Sequence, residues 1–331
     1  MTRFRRDEAA QNARCRRAAL DITPGQGVQV ANSPPHDRHS QESHCLHTRM
    51  ALAEDLGDYL GKSGEWPPQP SRAARAAKDL AEGFAMNWLW TALAFQDIKL
   101  RYRGSILGPF WLTVSTLILA VVIGVTYSHL LAVKVPNYIP YLIAGLVLWQ
   151  LVVATTGEGC DMFTRVGPII HQVPLPFSVH AYRLVWRNLI VLGHNALVVL
   201  AALVFFRVPV DWHILLVLPA LFVVAVNALW ASTLLGLAGT RFSDLPPIVG
   251  SFIQVLFFIT PIFWSADALG RWKTLAECNP FFAAIDIVRA PLLGATPEPY
   301  SWLVMGLTTI LGGGLTFMVF ARFRTRIPYW V

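Results

Sequence analysis

The side chains able to do chemistry in this 331-residue chain are few, and their spacing speaks against most reactions. His36, His39, His44, Cys45 and His47 gather metal-capable groups, but their intervals match no standard site and no hydrophobic framework surrounds them. They read as a polar tract, with metal binding the alternative. The run Gly57-Asp58-Tyr59-Leu60-Gly61-Lys62-Ser63 imitates a phosphate-binding loop. It is one residue short, and no apolar strand precedes it to aim backbone amides at a phosphate. The acids Glu158, Asp161, Asp211, Asp244, Asp267, Glu277, Asp286 and Glu298 fall in loops or at the ends of apolar runs, so no buried chain of acids suggests a proton relay. Cys15, Cys45, Cys160 and Cys278 are scattered without a CxxC pair, against a disulfide framework or a zinc site. The expectation is therefore a chain with no catalytic residue, no metal and no ATP site of its own.

The elements that would position any function are set by what is missing. Asp, Glu, Lys and Arg are absent from 104–133, 135–157, 188–206, 212–240, 245–266 and 299–321. A bilayer core about 30 Å thick needs roughly 20 apolar residues per helical crossing, and a charge at its centre costs about 2.5–3.5 kcal/mol on insertion scales. A soluble helix would show a polar face every third or fourth residue, and these runs do not. Only 14% of the chain is charged and 54% is hydrophobic, against roughly 25% charged in ordinary soluble domains. The net charge of +7 divides into about +2 over residues 1–80, +1 over 81–106 and +4 over 107–331. No dense basic face results, so a nucleic-acid partner is not expected.

Three zones follow. Residues 1–80 read as a disordered N-terminal extension, rich in Pro, Gly, Ser, His and Arg, without a secretory h-region; Met50 is an alternative start. Residues 81–106 suit an amphipathic helix lying in the membrane interface, with Trp88, Leu89, Ala92, Phe95 and Leu100 toward lipid. A merely basic flank of the first span is the alternative. Residues 107–331 form a six-span domain, with crossings near 107–131, 138–157, 184–206, 212–238, 247–264 and 300–321. Lys99, Arg101, Arg103, Arg165, Arg183, Arg187, Arg241, Arg322, Arg324 and Arg326 would share one side; Lys134, Arg207, Arg271, Lys273 and Arg289 would face the other. That imbalance predicts both termini in the cytoplasm.

Between these spans lie short islands. Phe95-Gln96-Asp97-Ile98-Lys99-Leu100-Arg101-Tyr102-Arg103 leads into Gly104-Ser105-Ile106-Leu107-Gly108-Pro109-Phe110-Trp111. Arg241-Phe242-Ser243-Asp244-Leu245 joins spans four and five. Thr260-Pro261-Ile262-Phe263-Trp264, Asn279-Pro280-Phe281-Phe282 and Ile287-Val288-Arg289-Ala290-Pro291-Leu292-Leu293-Gly294 follow in order, and Arg324-Thr325-Arg326-Ile327-Pro328-Tyr329-Trp330 closes the chain. Over about residues 81–331 this series resembles the membrane subunits, or permeases, of type-2 ABC exporters, particularly those for O-antigen, capsule and teichoic-acid polysaccharides. The resemblance implies an all-α inner-membrane protein of a bacterial cell, working as a homodimer with two copies of a separate cytoplasmic ATPase. ATP and Mg would be used by that partner, and a lipid-linked glycan would be the cargo.

The loop 159–182 is apolar yet broken by Pro168, Pro174 and Pro176, a composition suited to a short helix docking in a partner's groove. The resemblance makes it the ATPase-coupling segment, with Asp97, Arg101, Arg103, Arg165, Gly167, Ile169, Ile170, Arg241 and Asp244 as coupling residues. A re-entrant or lipid-lying loop is the alternative. The stretch 265–298 carries too many charges to span and reads as short external re-entrant helices between spans five and six. The resemblance would make Pro261, Asn279, Pro280, Phe281 and Arg289 an external gate. Sugar rings stack on aromatic faces, so Trp111, Tyr127, Tyr141, Trp149, Phe263 and Trp264 are candidate glycan-path residues, or else a belt in the interface. Gln150, Asn195, Asn227 and Gln254 are expected to join helices rather than bind substrate. Three further readings remain: the same architecture exporting a smaller lipid or drug; a polytopic enzyme of glycan synthesis, for which no paired acids are present; and a structural scaffold, which would leave the coupling-like loop unexplained.

Overall fold

The computed structural model describes residues 70–104, 108, 110–130, 138–209 and 211–331. The histidine-rich tract, Met50, the loop-like run at 57–63, Pro109, Lys134 and Asn137 lie outside the described residues. Every regular element described is helical. Helices α1 (Arg72–Ala85) and α2 (Asn87–Arg101) precede α3 (Phe110–Leu130) and α4 (Tyr138–Cys160). Two short helices, α5 (Met162–Arg165) and α6 (Gly167–Gln172), lead to α7 (Ser178–Phe205), α8 (Val217–Arg241) and α9 (Leu245–Ile259). Next come α10 (Lys273–Glu277), α11 (Pro280–Leu292), α12 (Pro299–Phe323) and the terminal turn α13 (Ile327–Trp330).

Among the described residues, four helical stretches are long and apolar enough to cross a membrane: Tyr138–Cys160, Ser178–Phe205, Trp212–Arg241 and Pro299–Trp330. Leu245–Ile259 is a shorter apolar helix, and Thr113–Tyr127 is an apolar stretch within α3. Several ends differ from the hydropathy reading for reasons of backbone sterics. The fifth run stops at Ile259 rather than near 264, because a residue before proline disfavours helical φ/ψ and Thr260, before Pro261, is extended. The same effect ends α6 at Val173, ahead of Pro174. Helix starts follow the converse rule: Pro246, Pro280 and Pro299 occupy first-turn positions, where a missing N–H costs nothing. The third run begins six residues before the expected 184. A helix also begins at Arg72, within the zone read as an extension, where the Ser71 hydroxyl caps the Ala74 N–H at 3.1 Å.

α4 is the axis of the molecule. Leu142, Ile143, Ala144, Leu146, Val147 and Leu148 are all buried, and α3, α7, α8, α9 and α11 pack around them. Polar side chains fasten the helices inside this apolar core. Thr113 donates to Asn195, Asn195 to Gln150, and Gln150 to Thr116, a chain through α3, α7 and α4 with steps of 2.9, 2.9 and 2.5 Å. Asn227 links α8 to Thr309 of α12 at 2.7 Å. Gln254, by contrast, is exposed. A second core at one end joins Met162, Phe163 and Ile327 to α7, α8 and α12, with Ala76 and Leu80 of α1 against it.

Candidate functional site

At the end of the bundle that carries α1 and the loop 161–177, five ionised side chains meet between α2, α4 and α7. Asp97 on α2 binds Arg183, and it binds Arg187 at 3.0 Å. Arg187 also binds Glu158 on α4, whose other oxygen takes Arg101 of α2 at 2.5 Å. Asn188 adds a 3.1 Å hydrogen bond to Glu158. Burial pushes the Asp97 carboxyl up, but the hydrogen bond and charge of Arg183, with Arg187 behind it, hold it below its usual 3.8. The sequence reading named Asp97 and Arg101 as coupling residues but foresaw no ion cluster. Their partners were missed, because they lie 57–90 residues away and no local period connects them.

The opposite face of α2 explains its apolar positions. Trp88, Ala92 and Phe95 recur at helical spacing and are exposed, whereas Trp90 and Ala94 turn inward, Trp90 packing edge-on against Trp186 at 5.6 Å. One face is thus available to lipid and the other is bound to the bundle.

The loop 161–177 is anchored as well. Met162 and Phe163 are buried, and Ile170 turns toward the second core. Ile169 is 40% exposed and faces out. Gly167 lets α6 approach the terminal residue closely, since a Cβ there would lie 2.3 Å from a Val331 methyl; the His171 ring lies 3.3 Å from the Val331 carbonyl. Arg165, which pairs with Asp161 at 3.1 Å, lines an open cleft of about 560 Å³ with Asp161, Thr164, Arg241, Ser243 and Trp330. Arg103, Arg241 and Asp244 are exposed. The expected coupling residues therefore divide into two groups: Asp97, Arg101, Gly167 and Ile170 hold the structure together, and Arg103, Arg165, Ile169, Arg241 and Asp244 are open to a partner.

At the other end, the non-helical segment 260–265 is buried over Thr260–Ile262 and half-buried over the rest, so its carbonyls need partners. Tyr138 donates to the Phe263 carbonyl at 2.8 Å, Tyr141 to that of Trp264 at 3.1 Å, and Arg289 to that of Pro261 at 3.1 Å. Asn279 donates to Thr260 at 3.0 Å and accepts from the Phe281 N–H at 2.9 Å, capping α11 ahead of Pro280. Arg289 is 3% exposed and stacks over the Tyr141 ring at 3.8 Å. The five residues expected to form a gate are thus in one neighbourhood. The aromatics are mostly engaged: Tyr127 and Phe263 form an edge contact at 5.4 Å, and Trp149 packs between Phe257 and Phe281. Trp264 is half-buried. Trp111 alone of the six is largely exposed.

A family model described as "ABC-2 type transporter" matches residues 89–293, well over half of the chain. The chain belongs to the ABC-2 type transporter family. Among its relatives, the O-antigen export system permease protein RfbA of Klebsiella pneumoniae is 25% identical over 208 residues, covering 60% of this chain and 77% of that protein. The RfbA permease of Myxococcus xanthus is 25% identical over 190 residues, covering 57% and 72%. The ABC-2 match includes the ion cluster at α2, the loop 161–177, the turn 241–245 and the capped segment 260–265. It leaves out α1 and α12.

Proposed function

We propose that this chain is the membrane subunit of an ATP-driven exporter that moves a lipid-linked polysaccharide across the inner membrane. It works as a homodimer with two copies of a separate cytoplasmic ATPase. The observation that carries the reading is the loop 161–177: an apolar, proline-broken segment that presents Ile169 outward from a buried base, within a chain of the ABC-2 type transporter family. The relatives named as O-antigen export permeases favour a glycan cargo over a small lipid or drug.

In this reading α3, α4, α7, α8, α9 and α12 are six spans, α2 lies in the cytoplasmic interface, and both termini are cytoplasmic. The helices α10 and α11 dip into the outer leaflet as re-entrant elements. The ATPase subunit presses on the loop 161–177 and on the exposed Arg165, Arg241 and Asp244. That push reaches the spans through Glu158, Arg187 and Asp97. Trp111 is the aromatic best placed to meet the glycan, being the one least committed to other side chains. Capture of the cognate ATPase by purified protein is the test. Ile169→Asp places a charge in a contact that must exclude water, which weakens capture by at least about tenfold for each 1.4 kcal/mol lost. Capture and glycan export both at wild-type level in Ile169→Asp would sink the assignment.

A further inference from the structure

Helix α1 lies ahead of the family match and α12 beyond it, yet the two meet at a single buried carboxylate. Asp79 of α1 is 3% exposed. Its oxygens accept from the Ser178 N–H at 3.1 Å and the Phe177 N–H at 3.4 Å, and one of them pairs with Arg324 at 2.9 Å. The Ser178 hydroxyl donates back to the Asp79 carbonyl at 2.7 Å, and the Tyr182 hydroxyl to the Leu80 carbonyl at 3.2 Å. Arg324 also donates to the Arg75 carbonyl at 2.5 Å. The first N–H groups of a helix have no partner within it and carry partial positive charge, and α7 has no capping side chain of its own. Asp79 supplies that cap from a different element. A side chain at Gly83 would collide with the Ser178 hydroxyl, so this approach is built into α1.

Ser178 is the exit root of the loop 161–177, and Glu158 stands at its other root, held by Arg101 and Arg187. A loop that flexed at its roots would absorb a push within itself. One fastened at both roots passes the displacement on.

We propose that Asp79 and Arg324 are positioning residues for energy coupling. They lock the exit root of the loop to α1 and to the cytoplasmic end of α12, so that a push on the loop moves α7 and α12 as one body. The inference rests on the loop being the ATPase contact, as proposed above.

The experiment uses the permease–ATPase complex in proteoliposomes, with lipid-linked glycan exported and ATP hydrolysed measured in the same sample. Asp79→Asn keeps an oxygen to accept from the Ser178 N–H but loses the charge facing Arg324. Arg324→Gln removes the other half of the pair. Each is expected to leave ATPase capture and hydrolysis within about twofold of wild type, while glycan exported per ATP falls about tenfold; the double variant falls no further, because both changes remove one interaction. Arg324→Lys restores most of the ratio. Unchanged export per ATP in the singles, even with less folded complex, overturns the proposal and leaves Asp79 a purely structural cap. So do losses in the double variant that multiply. If Ile169→Asp abolishes capture while Asp79→Asn leaves export per ATP intact, only the positioning role falls. If capture does not depend on the loop, both readings fall.

Discussion

Arg289 holds three chain segments with one side chain: it donates to the Pro261 carbonyl, stacks on Tyr141 of α4 and belongs to α11. A hydrogen bond from a charged donor contributes about 1.5–3 kcal/mol and a desolvated cation–π contact about 2, so Arg289→Ala is expected to lower stability by about 3 kcal/mol. Thermal unfolding in detergent measures this, and Arg289→Lys recovers only part, since an ammonium lacks the planar fork. Asp97 behaves differently. Its carboxyl is held below its usual 3.8, so its contribution is complete above that pH and is lost only as pH falls through the lower folded value. Trp fluorescence reporting the Trp90–Trp186 contact should therefore be flat between about pH 7 and pH 5. A transition inside that window would contradict the ion cluster. Sequence reading found both residues, but not what they touch. The family resemblance marks Arg289, within the island 287–294, as a gate residue and Asp97 as a coupling residue, without saying which groups either side chain meets. Asp79 was absorbed into an extension because a short Ala/Arg/Lys segment shows no apolar stripe until Ala76 and Leu80 are seen against the second core.

Among the elements, α4 and α8 show how close two helices can come. A side chain at Gly239 would strike the Cys160 carbonyl, and one at Gly159 would meet the Ser232 backbone at 2.9 Å. Gly159→Val forces the helices apart, and overpacking of this kind costs about 1–3 kcal/mol. The expected result is a lower melting temperature with the ion cluster intact, read by thermal unfolding of the purified variant. Gly313→Ala serves as a neutral control, since open space surrounds that position while Gly312 packs under Trp230. Helix existence was plain from the charge-free runs, because hydropathy is a local property. Helix ends were less legible: the start at Tyr138 agrees with the hydropathy reading, but the stop at Ile259, which Pro261 sets, falls inside a run that stays apolar to 264. The start of α7 at Ser178 was hidden, because its cap comes from a residue 99 positions away.

For the whole molecule, orientation and energy supply are the properties to measure. Reporter fusions after Arg241 and after Arg326 are expected to read cytoplasmic, and those near Arg271 external. An external signal at the C-terminal site would reverse the topology. Purified protein without its ATPase is expected neither to bind nor to hydrolyse ATP, and Lys62→Ala to leave export unchanged. Saturable nucleotide binding by the isolated chain would refute this. Here the sequence was most informative: membrane residence, the order of the islands and the family all follow from composition and short motifs. The division of labour within the ion cluster did not, because it depends on which helices become neighbours.

The capped segment 260–265 also imposes an order on biogenesis. Its carbonyls are satisfied by Tyr138 and Tyr141, made 125 and 123 residues earlier, and by Arg289, made 28 residues later. A buried backbone group left unpaired costs about as much as a lost hydrogen bond. A nascent chain halted before residue 289 therefore holds α9 with an incomplete end, and the segment can settle only after α11 emerges. Ribosome-stalled chains ending before and after that arginine should differ in protease protection at Pro261, a checkpoint timed by translation.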